Sequence, residues 1–485
     1  MNFHNIKRVS LLVLVGLFVL MGCEKNFDEF NTNPNAPADA PAAFVLPGAL
    51  VDLSYFTDYQ MNINYIGLWV QQHASGAYPE EDQYSPRLAD IDFFWNNLYD
   101  NSMKDFRHII DNGTTNQIAV AKIMSSYGFM VLTDIWGDIP YSQALQAEQG
   151  GDFLTPVLDP QADVYTGILK DLDDAVSMID KEAIDGFSEE DLIFGGDMDL
   201  WEKFGNSLRL RAFMHLSEVD PARAETGVKE MLAKPLMTSH EENAAIHYID
   251  VSGNKNPIHS RFSGRSNDFR ASKSMVDRLI GSGDTINPAD PRTSVYVQRN
   301  SLGSYVGIPN GVDGLGDVGR DNSTSCKLGE VFLAADAPAY FMTWTEVEFL
   351  KAEAAERGWS AEEPKTAYEQ AIKVSMWQHG IIDDEAIQDF LEDANIAYDA
   401  TKGMELISTQ KWIAMFGQSL ESWTNFRRTG FPVLPIALND QNGGVFPKRL
   451  TYPNVESTTN GTNVTAATDR QGGAELGNAL WWDVE

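Results

Sequence analysis

Two neighbouring segments decide the fold: Phe349-Leu350-Lys351-Ala352-Glu353-Ala354-Ala355 and, beyond Gly358, Ala367-Tyr368-Glu369-Gln370-Ala371-Ile372. Apolar residues recur in both segments at the spacing of an α-helix. The alanines let two helices approach closely, and an aromatic side chain fills the groove between them. Gly358 directly follows Arg357, where a glycine commonly ends a helix. The stretch therefore predicts a pair of helices joined by a short turn.

The same periodicity recurs along the chain. It predicts helices over 118–136, 160–179, 200–216, 221–232, 340–357, 366–377 and 404–420. Helix pairs are expected within 118–180, 200–232 and 340–379, and short turns separate the members of the last two pairs. The small residues at the pair contacts are typical of a tetratricopeptide repeat. No regular repeat length appears, however, and a generic helical bundle fits the pattern equally well. Either way the fold class is dominated by α-helices.

Long irregular stretches lie between these helices, at 253–269, 281–328 and 441–478. They are rich in glycine and polar residues. Loops of this length inside a compact protein are usually functional or disordered. No break in composition separates independent domains, so residues 42–485 are expected to form a single helical binding domain with its ligand site in the loops.

The N-terminus has the pattern of an export signal. Lys7 and Arg8 precede an apolar run from Val9 to Met21, which is shorter than the roughly 20 residues that span a bilayer. The run ends in Leu20-Met21-Gly22-Cys23, which resembles a bacterial lipobox. We expect residues 1–22 to be a lipoprotein signal peptide, Cys23 to be acylated, and residues 23–41 to form a flexible tether.

Charge narrows the classes of partner. The chain has 70 acidic and 36 basic residues, a formal net charge of -34. Such a surface repels phosphate backbones and anionic lipid surfaces, so nucleic-acid binding is excluded and membrane contact is expected only through the lipid anchor. Only Cys23 and Cys326 could form a disulfide, and lipidation of Cys23 leaves Cys326 without a partner.

Several motifs are found together in one order along the chain. They are Phe27-Asp28-Glu29-Phe30-Asn31-Thr32-Asn33-Pro34-Asn35-Ala36-Pro37, Trp136-Gly137-Asp138-Ile139-Pro140-Tyr141-Ser142-Gln143-Ala144, Asp290-Pro291-Arg292, Glu348-Phe349-Leu350-Lys351-Ala352-Glu353-Ala354, Trp423-Thr424-Asn425-Phe426-Arg427-Arg428-Thr429-Gly430 and Phe446-Pro447-Lys448-Arg449-Leu450-Thr451-Tyr452-Pro453. The set resembles the SusD/RagB family of nutrient-binding outer-membrane lipoproteins, and its second branch most closely.

This resemblance implies a right-handed superhelix of tetratricopeptide-like helix pairs with long irregular ligand-binding loops. It implies a location on the outer membrane, facing the cell exterior. It further implies a nutrient ligand, with a glycan or oligosaccharide expected first, and a SusC-like TonB-dependent transporter as partner. On this hypothesis the chain is a binding protein with no catalytic residues.

Candidate ligand-binding residues come from the loops, because sugars stack on aromatic rings and bond to polar side chains. Trp69 opens a polar stretch that contains Tyr78 and Tyr84. Tyr305 lies among glycines that leave little to bury it, with Asn310 and Asp313 close behind. These six residues are the predicted site, and a ligand site requires the four aromatic rings to be exposed, although any single aromatic residue is more often part of the core.

Two alternatives remain: a surface enzyme that degrades glycans, and a peptide-binding or structural surface lipoprotein. The chain has no H-E-x-x-H, G-x-S-x-G or Walker-type motif. His240 and His247 favour a solvated helix start, and the lone Cys326 favours an inert thiol. No cofactor is expected. A calcium site remains open at Asp313, Asp317, Asp321 and Asn322, although a solvated turn explains that loop better.

The family motifs also have structural explanations. Gly137 and Pro140 are expected to end a helix and force a turn, and Asp138 to cap the element after that turn. Arg427 and Arg428 are expected to pair with carboxylates such as that of Glu421 and so to hold the last helices together.

Overall fold

The computed structural model describes residues 40–265 and 267–484. The predicted signal peptide, the acylation site Cys23 and nearly all of the predicted tether lie outside these residues. From Ala42 onwards the chain forms one compact unit.

Helices build most of this unit. In chain order they are α1 Ala42–Ser54, α2 Gly67–Trp69, α3 Leu88–Asn97, α4 Lys104–Asn112, α5 Thr115–Trp136, α6 Gln161–Met178, α7 Met198–His215, α8 Pro221–Met231, α9 Pro257–Arg265, α10 Lys273–Ile280, α11 Thr293–Tyr296, α12 Glu330–Leu333, α13 Trp344–Glu356, α14 Pro364–Trp377, α15 Asp384–Glu392, α16 Gly403–Ala414, α17 Ser419–Thr429, α18 Asn454–Thr459 and α19 Gly461–Arg470. Two π-helical segments, Tyr55–Ile66 and Leu98–Met103, continue α1 and α3. Short 3-10 turns are found at Ala147–Gln149, Gly151–Leu154, His240–Glu242 and Leu315–Val318.

Strands are few and short in the described chain. They are β1 His73–Ser75, β2 Ala244–Ile246, β3 Phe269–Ala271 and β4 Ala339–Met342. β1 pairs antiparallel with β3, and β2 with β4, so each pair ties together loops that are far apart in sequence.

The helices pack as the predicted pairs. α5 packs on α6, α7 on α8 and α13 on α14, and α6 also contacts α7, so that successive pairs stack. The predicted all-helical, tetratricopeptide-like class is therefore confirmed. Two boundaries were wrong: residues 339–342 form β4 before α13 begins, and the helix predicted over 404–420 ends at Ala414, with α17 starting at Ser419.

Local sequence explains where the helices begin. Asp197 caps α7 by accepting from the amides of Asp199 and Leu200, and Pro221 opens α8 behind the cap Asp220. Asp138 does not cap the element directly after its own turn, as predicted, but accepts a hydrogen bond at 2.9 Å from the amide of Gln161, the first residue of α6.

Most of the large side chains join one core. Six tryptophans are almost wholly buried: Trp69, Trp136, Trp201, Trp412, Trp423 and Trp482. A smaller cluster, which includes Phe349, Tyr368 and Phe390, fills the space among α13, α14, α15 and α16. Helix α5 is long and apolar enough to cross a bilayer, but 89% of its apolar window is buried inside the protein, which identifies it as a core helix.

Candidate functional site

Three of the predicted aromatic residues lie in the interior. Trp69 and Tyr84 are each 1% exposed and Tyr305 is 3% exposed. The indole of Trp69 donates to the carbonyl of Glu81 at 2.9 Å, and the hydroxyl of Tyr84 accepts from the amide of Ala437 at 3.2 Å. The expectation that these rings are exposed was therefore wrong, because the loops fold back and cover them. A ring so deeply buried cannot stack on a ligand without rearrangement of its surroundings.

Tyr305 is covered despite its glycine neighbours. Its amide donates to the carbonyl of Thr285 at 2.7 Å, which draws this loop against the preceding one. The guanidinium of Arg299 lies 4.5 Å from the centre of the ring and closes the solvent side. The loop thus supplies from its own sequence the partner that buries its aromatic residue.

Asn310 and Asp313 fasten two loops together. The amide nitrogen of Asn310 lies 2.7 Å from a carboxylate oxygen of Asp82 and 2.8 Å from the carbonyl of His73. Asp313 accepts from the side chain of Gln83 at 2.7 Å. Asn310 is buried and Asp313 is exposed. The structure therefore brings Asn310 and Asp313 to the segment that precedes Tyr84.

Tyr78 differs from the other predicted rings because 60% of its surface is exposed. The guanidinium of Arg265 lies 5.2 Å from the ring centre and donates to the hydroxyl at 3.1 Å. Tyr78 also has a φ of +62°, a region that costs a non-glycine residue of order 1–3 kcal/mol and is often retained at functional sites. The ring is thus presented to solvent and held in place by a cation.

A second set of half-buried polar and aromatic side chains lies on the π-helical segment Tyr55–Ile66. The rings of Tyr55 and Tyr59 are 5.2 Å apart. Gln60 donates to the hydroxyl of Tyr55 at 2.9 Å, and Asn64 donates to Gln60 at 3.1 Å. Long π-helical segments are rare and occur frequently at functional sites.

Arginines of α9 connect this segment to Tyr78. Burial and then the neighbouring Tyr55 raise the pKa of Tyr59, while Arg261 lowers it, so Arg261 lies beside the tyrosine pair. Arg261 binds Asp268 at 2.7 Å, and Arg265 lies 3.3 Å from the same carboxylate. We call the contiguous set Tyr55, Tyr59, Gln60, Asn64, Arg261, Arg265 and Tyr78 the aromatic–polar row.

Sequence reasoning identified only Tyr78 of this row. A signal for the rest was present, because residues 55–65 hold three tyrosines together with Gln60, Asn62 and Asn64. That segment has no glycine or proline to mark it as a loop, and the contribution of α9 depends on tertiary contact.

The glycine-rich loop proposed for calcium is organised by its own hydrogen bonds. Asp321 accepts from the hydroxyl of Ser323 at 2.7 Å and from the amides of Ser323 at 2.8 Å and Thr324 at 2.9 Å, and the bonds from Ser323 and Thr324 lower the pKa of Asp321 to about 2. Asn322 accepts from Arg270. Within residues 40–265 and 267–484, no group of three or more His, Cys, Asp or Glu side chains is arranged to hold a metal ion.

The arginines of the Trp423–Gly430 motif hold the last helices. Arg428 binds Glu353 of α13 through both carboxylate oxygens. Arg427 instead donates to the carbonyls of Asp134 and Lys448, each at 2.7 Å, and its guanidinium lies 3.4 Å from the centre of the Trp423 ring. The expected carboxylate pairing thus holds for Arg428 but not for Arg427.

Glu421 has other partners. It accepts from Lys411 at 2.6 Å and lies 3.1 Å from Nε2 of His215. Burial would raise its pKa, but Lys411, His215 and Arg211 hold it well below the ordinary value. These partners offset the cost of burying the carboxylate and join α17 to α16 and α7.

Cys326 and His240 have structural roles. Cys326 is fully buried, and burial raises the pKa of its thiol, which opposes formation of the reactive thiolate. The ring of His240 packs 4.9 Å from that of Trp344, at the start of a 3-10 turn rather than of a helix.

Comparison with known proteins agrees with this fold. Residues 34–453 match the family model SusD-like_2, whose description is "Starch-binding associating with outer membrane". No curated protein matches the chain.

Solved structures match over almost the full chain. A chitin-binding protein is 29% identical, with 92% of this chain and all of that one covered and a TM-score of 0.81. A SusD-like protein from Bacteroidetes is 25% identical over 92% of this chain and all of its own, with a TM-score of 0.80. A chitin-binding SusD homologue from Flavobacterium johnsoniae, 24% identical over 92% of this chain and 98% of its own with a TM-score of 0.77, supports the fold alone. The chain belongs to the SusD-like family of outer-membrane-associated, starch-binding proteins.

Proposed function

We propose that this protein is a cell-surface lipoprotein that binds a neutral oligosaccharide along the aromatic–polar row and delivers it to a SusC-like TonB-dependent transporter. The observation that carries the proposal is Tyr78, whose exposed ring is held in place by Arg265. A sugar presents a C–H face that packs on such a ring while its hydroxyl groups bond to neighbouring polar side chains.

The row supplies those polar partners. Gln60 and Asn64 offer amide groups beside the rings, and Asp268, which binds both Arg261 and Arg265, adds a carboxylate.

Charge and relatives narrow the ligand class. A net charge of -34 disfavours anionic glycans, which leaves neutral and cationic ones. The family description names starch, and the relative at 29% identity is named as chitin-binding. We therefore expect an oligosaccharide of glucose or of N-acetylglucosamine.

Anchoring and delivery complete the proposal. Acylated Cys23 would hold the body at the outer membrane, as the lipobox pattern indicates. A lipid-anchored binding protein needs a transporter to pass its ligand across that membrane, and the family resemblance points to a SusC-like barrel.

The test is calorimetric titration of the purified protein, lacking residues 1–23, with chitin and starch oligosaccharides. An anionic glycan and an unrelated peptide serve as controls. We expect saturable binding of a neutral glycan and no release of new reducing ends. Binding of the peptide alone, or catalytic cleavage of the glycan, would replace this proposal by one of the two rival functions.

A further inference from the structure

One pocket is lined by residues of the two elements that also carry most of the aromatic–polar row. The π-helical segment contributes Asp58, Asn62 and Ile63, and the start of α9 contributes Ile258. The cavity measures about 90 Å³, which holds several water molecules or a ligand group of a few non-hydrogen atoms.

The carboxyl group of Asp58 is weakly hydrogen-bonded for a group with so little access to water. The side chain of Asn256 donates to it at 3.4 Å, a long contact. Burial raises the pKa of Asp58 to about 7, and Asn256 opposes this only in part. Burying a carboxylate without a cation is costly, so such a group is commonly paired or neutralised.

The walls of the pocket suit a cation. Phe332, Tyr340 and Phe416 contribute aromatic rings, which attract ammonium groups. Among the described lining residues there is no Lys or Arg. The two lining histidines, His73 and His379, have their pKa lowered to about 4 by burial, so both are uncharged at neutral pH.

Neighbouring charged groups are already paired. Asp58 also borders an adjoining cavity that Arg211 lines. The guanidinium of Arg211 binds the carboxylate of Glu346 at 2.6 Å and donates to the carbonyl of Phe341 at 2.9 Å. Burial raises the pKa values of Tyr248 and Tyr340, which also lie near Asp58, so neither supplies a positive charge. The adjoining cavity is further lined by Asp134, His215, Glu421 and Arg427. There His215 lies 3.1 Å from Glu421, and Arg427 donates to the carbonyl of Asp134.

We infer that this pocket binds a primary ammonium group, with Asp58 as its carboxylate partner and the aromatic rings as its walls. The inference rests on the proposed function for its ligand: an amino sugar would place its ammonium group there, so the protein would prefer deacetylated hexosamine units over acetylated ones. No bond is made or broken, and the step is binding alone.

The experiment compares two probes, the disaccharide of glucosamine and that of N-acetylglucosamine, by calorimetric titration at pH 7. The proteins are wild type, Asp58→Asn, and the control Asp317→Asn, which removes an exposed carboxylate of the glycine-rich loop. We expect wild type and Asp317→Asn to prefer the glucosamine disaccharide. Asp58→Asn should lose affinity for it by about tenfold or more, the scale of a hydrogen bond to a charged group.

A second measurement distinguishes binding of the ammonium group in this pocket from a general attraction of cations to an acidic protein. An ammonium group favours the ionised carboxylate, so binding should release protons from Asp58, whereas the amine of the sugar, which titrates near neutral pH, takes protons up as it binds. The net proton exchange, seen as heats that differ between buffers of different ionisation enthalpy, should therefore differ between wild type and Asp58→Asn. Equal affinities in wild type and Asp58→Asn, or the same proton exchange in both, would overturn the inference. A protein that binds neutral glycans with no preference for the amine would overturn it too, and would leave the proposed function intact.

Discussion

The clearest contrast at the scale of single residues is between Trp69 and Tyr78. Trp69 is buried against Tyr65 and Trp423, whereas Tyr78 projects into solvent. We expect Trp69→Ala to lower the free energy of unfolding by about 3–5 kcal/mol, the usual cost of removing a buried aromatic side chain. Tyr78→Ala should change it by no more than about 0.5 kcal/mol, as for exposed positions in general. Urea unfolding of both variants measures this, and equal losses would contradict the assignment.

Glu353 provides a pH-dependent test at the same scale. Burial would raise its pKa, but Arg428 and Arg357 lower it to about 2, against 4.5 for the unfolded chain. Because the folded pKa is depressed, the stabilisation is complete above pH 4.5 and is lost as the pH falls towards 2. Glu353→Gln leaves Arg428 buried without its carboxylate and should cost about 3–5 kcal/mol at pH 7.

The pH profile gives the sharper readout for this variant. Between pH 4.5 and pH 2 the free energy of unfolding of Glu353→Gln should fall less steeply than that of wild type. As a control, Lys229→Ala breaks the exposed pair with Glu225 and should leave both stability and slope unchanged. Parallel pH profiles for wild type and Glu353→Gln would show that titration of Glu353 does not contribute to the pH dependence of the free energy of unfolding.

The residue scale is also where sequence reasoning failed most. Burial in the helices follows a 3.6-residue period, so their core residues could be predicted. The buried residues of the loops do not recur at any regular spacing along the sequence. Tyr305 is covered by Arg299 of its own loop and by the loop that holds Thr285, and Tyr84 is covered by the segment at Ala437. The contacts with Thr285 and Ala437 join segments that are distant in sequence, so the local sequence does not reveal them.

At the scale of elements, small residues set how closely the helix pairs stack. Gly205 of α7 faces both members of the preceding pair. A Cβ atom placed there would lie 2.6 Å from Cγ2 of Val176 in α6 and 3.2 Å from Cδ1 of Ile123 in α5. We expect Gly205→Val to lower the free energy of unfolding by about 1–3 kcal/mol through overpacking.

Gly48 of α1 is the matched control, since a Cβ there meets no atom within 4 Å. Gly48→Val should change stability by no more than about 0.5 kcal/mol. Thermal unfolding followed by circular dichroism compares the two variants. Similar melting temperatures would mean that close approach at Gly205 does not limit the stacking of the helices.

The element scale was also the most predictable from sequence. Long periodic helices such as α5, α6 and α7 were predicted to within a few residues at each end. The errors arose where another feature of the chain overrides the helical period. Residues 339–342 are an apolar run, but they form β4 and pair with β2. The apolar run at 404–420 is interrupted by Gly417, whose φ of +84° does not fit a helix.

At the scale of the whole molecule, the proposed function requires a lipid anchor. Cys23→Ala removes the thiol that would carry the acyl chains. We expect the variant to be found in the soluble fraction or as an unprocessed precursor, whereas wild type sediments with the outer membrane. Mass spectrometry of the native protein should show an acylated Cys23, and an unmodified Cys23 in membrane-bound protein would exclude this mode of anchoring.

The measurement closest to the central claim is calorimetric titration of Tyr78→Ala with the neutral oligosaccharide that wild type binds. Loss of the ring should weaken binding by about 0.5–1.5 kcal/mol, by analogy with aromatic pairs, a several-fold loss of affinity without loss of stability. Phe44→Ala, which removes an 80% exposed ring from α1 outside the row, should bind as wild type does. If Tyr78→Ala also binds as wild type does, the aromatic–polar row is not the ligand site and the central claim fails.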